Sequence, residues 1–74
     1  MSNKLFAERL NQELDKIGVP KAIDHRIEAF SKLISISRFQ SELLLNGQIP
    51  HEMSMMEKIA DELEINIQWL LGKE

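Results

Sequence analysis

Apolar residues recur at intervals of three and four along nearly the whole chain, and each stretch is broken by a glycine or a short polar turn. That spacing marks one buried face on each of several helices, and no run alternates with period two for more than a few positions. Ser2 or Asn3 can cap a first helix whose inward residues are Leu5, Phe6, Leu10, Leu14 and Ile17. Gly18 ends it and Pro20 forbids its continuation, which leaves 19–23 as a connection. Asp24 is placed to cap a second helix bearing Ile27, Phe30, Leu33 and Ile34, and the small Ala29 and Ser31 would let a neighbour approach closely. After the turn 34–37, Ser37 caps a third helix from Arg38 to Leu45, closed by Asn46-Gly47. Beyond the loop 48–51, a fourth helix from about Glu52 turns Met53, Met56, Ile59, Ala60 and Leu63 inward and leaves Met55 off that face. Asn66 caps a short last helix with Trp69, Leu70 and Leu71, and Gly72 ends it. The expectation is a single all-α domain over 1–74, built of five short helices.

Seventy-four residues lie near the lower limit for a chain that folds without staples, and the absence of cysteine removes disulfides and thiolate metal sites. A 43% hydrophobic content is enough for one core and too high for a disordered tail. No apolar run approaches the roughly 18 residues of a membrane span, and the N-terminus lacks a signal-peptide core. A cytoplasmic setting, with no membrane partner, is expected. Catalysis finds no support. His25 and His51 are the only histidines and have no metal-ligand spacing, and Asp61 and Glu62 are adjacent on a helix and point apart. The three glycines terminate helices and form no phosphate-cradling loop. We therefore expect no enzyme activity, no metal, no cofactor and no small-molecule substrate.

The net charge is −3, yet its distribution is uneven. Residues 1–38 hold seven Lys/Arg against five Asp/Glu, whereas 39–74 hold two against seven. The segment 16–38 alone carries five cations and two anions, which is where a phosphate-facing patch would have to lie.

Four strings, read together, carry a family resemblance: Phe-Ala-Glu-Arg-Leu, Ser-Lys-Leu-Ile-Ser-Ile-Ser-Arg, Leu-Leu-Asn-Gly, and Lys-Ile-Ala-Asp-Glu-Leu-Glu-Ile-Asn-Ile-Gln-Trp-Leu-Leu-Gly. Over about residues 5–72 the chain resembles the Cro/phage-repressor, or lambda-repressor-like, helix-turn-helix family. The resemblance implies that the second and third helices form the motif, with the third in the major groove and the others as a platform under which Trp69 packs. It places the left-handed turn at Ser35, a phosphate-reaching cap at Ser37, and the recognition positions at Arg38, Phe39, Gln40 and Leu43. Asn46 and Gln48 fall where the backbone is followed, and Arg26 and Lys32 fall toward phosphates. Several residues depart from the family pattern. Serine stands for glycine at Ser35, Ile27 stands where a polar residue is common, Ser41 replaces a buried aliphatic and weakens the anchoring of the third helix, and Glu64 replaces a glycine.

The resemblance implies a sequence-specific transcriptional regulator of bacterial or phage type, a repressor, binding double-stranded DNA at a palindromic operator as a homodimer. Arg38 can make a bidentate contact to guanine, while Phe39 and Leu43 can meet only thymine methyls. Glu42 either accepts from a cytosine amino group or pairs with a neighbouring Arg or Lys, the latter being favoured. The alternative function is a helical protein-interaction module or antirepressor that kept the fold, since two exposed apolar residues on one helix also suit a protein partner. A dimer surface is sought first at the fifth helix and tail 70–74, and second at Met53 and Met55.

Overall fold

In the computed structural model, which describes residues 3–73, the Asn3 side chain accepts from the Phe6 amide at 2.9 Å and opens α1 (Lys4–Lys16). Ser2, the other expected cap, lies outside the described residues. The remaining helices are α2 (Ile23–Ile34), α3 (Arg38–Leu45), α4 (Met53–Leu63) and α5 (Ile67–Leu70). No strand occurs among the described residues. Helix α2 begins earlier than expected: Ala22 is its cap, without a side-chain bond, and Asp24 sits inside the first turn, where its charge favours the helix dipole. Asn66 caps α5 as expected, accepting from the Trp69 amide at 3.2 Å.

Helices α2 and α4 both end in the left-handed conformation without glycine, at Ser35 (φ 61°) and Glu64 (φ 54°). Each costs about 1–2 kcal/mol in backbone sterics. The geometry is held because the next amide turns back into the helix, Ile36 to the Ser31 carbonyl at 2.9 Å and Ile65 to that of Ala60 at 3.0 Å.

Phe6, Leu10, Leu14, Phe30, Ile34, Ile59 and Leu70 are fully buried, with Ile27, Leu44, Leu45, Met56 and Leu63 closing the core around them. The inward faces read from the sequence are thus correct at their centres and fail at their ends. Leu5, Ile17 and Met53 are exposed, because each lies at the first or last turn of its helix, where the neighbouring helix no longer covers it. Met55 is instead half-buried against the core. Trp69 is also only half-buried, and Leu70 is the side chain that plugs α5 into the core. The indole lies beneath the Arg9 guanidinium, 4.9 Å from the ring centroid, and Arg9 also donates to the Trp69 carbonyl, tying α5 to α1.

The most extensive helix contact is between α2 and α3, and α1 braces α3 from below. Ser41 sits fully buried on α3, and its hydroxyl donates to the Ile27 carbonyl of α2 at 2.7 Å. The expectation that a serine here weakens the anchoring of the third helix is therefore corrected: its small side chain lets the helices meet and adds a bond between them. At the other end of α3, the Asn3 amide donates to the Gly47 carbonyl at 2.8 Å. A Cβ on Gly47, where φ is +99°, would come within 2.5 Å of the Asn3 carbonyl oxygen, so the approach of the two segments requires glycine. Gly18 shares the left-handed backbone (φ +83°) but faces open space. We expect Gly47→Ala to lower the unfolding free energy by about 3 kcal/mol and Gly18→Ala by about 1 kcal/mol, read by denaturant titration. Equal losses would show that the Asn3 contact contributes nothing.

Candidate nucleic-acid interface

Helix α3 buries Ser41, Leu44 and Leu45, so at 3.6 residues per turn the opposite side carries Phe39, Glu42, Leu43 and Asn46. Phe39 is 71% exposed, in contrast to the fully buried Phe6 and Phe30. Ser37 caps the helix, accepting from the Gln40 amide at 3.1 Å, and the Gln40 side chain reaches back to the Ser37 amide at 3.5 Å. This capping box sets the start of α3, and its signal, Ser followed three residues later by Gln, is present in the sequence. Gln40 thus commits part of its polar capacity to its own helix, and it also lines a groove of about 370 Å³ formed with Leu43, Gln48, Ile49, Pro50 and Met55. Gln48 is half-buried in that groove, below the exposed face of α3. Leu43, at the edge of both surfaces, is 37% exposed.

Lys32 is exposed on α2, on the same side of that helix as Asp24 and Glu28. Arg38 lies 4.0 Å from Asp24, with both side chains more than half exposed. An exposed contact of that length contributes little and leaves the guanidinium able to turn elsewhere. No ion pair forms at Glu42 among the described residues, so the favoured reading in which it pairs with a neighbouring cation is not realised: Arg38, one turn before it, leans toward α2 instead. Along the segment that carries α2 and α3, three cations, Lys21 just before α2, Lys32 and Arg38, and three carboxylates, Asp24, Glu28 and Glu42, are exposed.

Arg26 must be removed from the candidate contacts. It is buried, 4% exposed, and its five N–H groups are all engaged within the fold. Nε donates to the Pro20 carbonyl (2.8 Å), Nη1 to the Asn11 carbonyl (3.2 Å) and side-chain oxygen (3.0 Å), and Nη2 to Asp15 Oδ1 (2.5 Å) and the Val19 carbonyl (2.9 Å). Asn11 in turn donates to the Ala7 carbonyl (2.8 Å) and, across to α3, to the Leu45 carbonyl (3.3 Å). Sequence reasoning misses Asn11 altogether, since a polar residue near a helix middle carries no signal of a distant partner. Ile27, next to Arg26 in the chain, is a core residue, which accounts for the departure from a polar side chain there.

The Arg26 hydrogen bond holds the Asp15 carboxyl below the ordinary carboxylate range, with the charges of Arg26 and Lys21 adding to it and desolvation opposing. A depressed native pKa means that the pair's stabilisation is fully present above the unfolded-state value and is lost as pH falls through the native one. Asp15→Asn should therefore be less stable than the parent at neutral pH, with the gap closing only in acid below the ordinary carboxylate range; a gap that stays constant down to that acid would rule the linkage out. Arg26→Lys keeps the charge but loses the fork, and we expect it to cost about 3 kcal/mol in denaturant unfolding, whereas a side chain serving a phosphate would tolerate lysine with no loss of stability.

Comparison with curated proteins and with solved structures returns no significant match. A family model described as the BetR domain matches residues 1–74, the full length of this sequence, and the chain belongs to the BetR domain family.

Proposed function

We propose that this domain binds double-stranded DNA as a sequence-specific transcriptional regulator, with α3 in the major groove and α2 across the backbone. The observation that carries the reading is the α2–turn–α3 unit: a left-handed Ser35, a boxed Ser37 cap, and an α3 whose outward face is covered by no other described element. Membership of the BetR domain family, small helical domains associated with helix-turn-helix regulators, supports it. Arg38 is the candidate for a guanine edge, Lys32 and Ser37 for phosphates flanking the groove, and Asn46 for a phosphate at the far end of α3. Gln40 and Gln48 contribute from the groove side, each partly committed to the fold.

We propose repression by a homodimer on a palindromic operator, since one domain with three cations on its α2–α3 surface would hold DNA weakly. Of the expected dimer surfaces, Leu70 is unavailable because it is fully buried, while Met53 at the start of α4 is 57% exposed. The equal numbers of cations and carboxylates on the α2–α3 surface favour a second reading, a protein-interaction module or antirepressor on the same scaffold.

Fluorescence anisotropy with a labelled mixed-sequence duplex separates the two. If Lys21, Lys32 and Arg38 neutralise about three phosphates, affinity should fall about forty-fold per protomer between about 50 and 200 mM salt. Lys32→Ala should reduce the logarithmic salt slope by about one unit, while Asn46→Ala weakens binding and leaves that slope unchanged. Absence of salt-sensitive binding at low ionic strength would favour the protein-interaction module, and a monomeric mass on operator DNA in sedimentation would exclude the dimer.

A further inference from the structure

Phe39 and Leu43 are the two apolar side chains on the outward face of α3, one turn apart, and both lie outside the buried core. The only apolar group that B-DNA displays on a major-groove base edge is the 5-methyl of thymine. Four residues of helix advance about 6 Å, against 3.4 Å per base-pair step, so the two side chains span close to two steps when α3 lies along the groove. Around this strip stand groups suited to the rest of the groove: the Arg38 guanidinium and the Ser37 hydroxyl at its start, the Asn46 amide at its end, and the Glu42 carboxylate alongside, whose counterpart on a base is an exocyclic amino group. Within the DNA-binding reading, the charge balance bears on the same strip. With three cations offset by three carboxylates on this surface, phosphate attraction alone supplies little binding, and the apolar strip has to supply part of it.

We propose that α3 reads the 5-methyl groups of two thymines about two base-pair steps apart, Phe39 meeting one and Leu43 the other. This rests on the DNA-binding reading and specifies the base-edge chemistry that it leaves open. Uracil keeps every hydrogen-bonding group of thymine and lacks only the methyl, so single dT→dU replacements isolate the contact.

The test begins with selection of a bound duplex from a pool with a randomised centre, followed by dU scanning of that duplex by anisotropy. Two positions, two steps apart, are expected to lose about fourfold in affinity each, the worth of one buried methyl. Phe39→Ala should abolish the uracil sensitivity at one of them and Leu43→Ala at the other. Phe39→Ala keeps the parent's unfolding midpoint to within that of a surface change, while Leu43→Ala, at a mostly covered side chain, lowers it but still unfolds cooperatively. A selected duplex indifferent to uracil at every position overturns the inference and leaves DNA binding standing. So does sensitivity that survives both substitutions. Failure of the pool to enrich at all overturns the DNA-binding reading, and this inference with it.

Discussion

The buried guanidinium of Arg26 is the constraint on which the rest of the structure depends. A chain this short must change direction between α1 and α2 within a few residues, and the carbonyls of Val19 and Pro20 at that turn have no helical amide to accept from. Arg26 donates to both while pairing with Asp15 and bonding twice to Asn11. Burying a cation is costly unless every donor is matched, and here five donors meet five acceptors. Asn11 then extends the network to the last turn of α3 through the Leu45 carbonyl. One polar chain therefore ties α1, α2 and α3 together in a domain whose apolar core is small.

That network explains why α3 can present an uncovered face and still be held in place. Its contacts are concentrated on one side and at its two ends: Ser41 to α2 in the middle, the Ser37 capping box at the start, and the Gly47–Asn3 approach at the finish. An eight-residue helix has little stability alone, so its orientation is a property of these fixed points. The left-handed Ser35 and Glu64 fit the same logic. Each carries strain that glycine would relieve, and each survives because packing on both sides leaves the backbone no other path.

On the surface that results, exposed cations and carboxylates are equal in number, and the most exposed large apolar side chain is a phenylalanine. On the proposed DNA-binding reading, long-range attraction to phosphate would be correspondingly weak, and recognition would depend on short-range complementarity at the α3 face. This shifts the balance between affinity and specificity. A domain that bound DNA in this way would gain less from any duplex and relatively more from the right one.

Much is legible in the linear pattern. The spacing of Phe6, Leu10 and Leu14, of Phe30 and Ile34, and of Met56, Ile59 and Leu63 identifies the helices and their inward faces, because helical period and apolar burial are local properties. The caps at Asn3, Ser37 and Asn66 and the terminators at Gly18, Gly47 and Gly72 yield to the same kind of reasoning, whereas the exposure of Phe39 is what the family resemblance implies. Only the tertiary structure decided where polar side chains find partners across helices. Arg26 reads as a surface cation and is an internal brace, Ser41 reads as a weakness and is a clamp, Trp69 reads as the plug and yields that place to Leu70, and Met53 and Met55 exchange roles at the edge of α4. Hydrogen-bond partners 11 to 60 residues apart, and the reach of a neighbouring helix over a first or last turn, are set by packing in three dimensions, and periodicity along the chain holds no record of them.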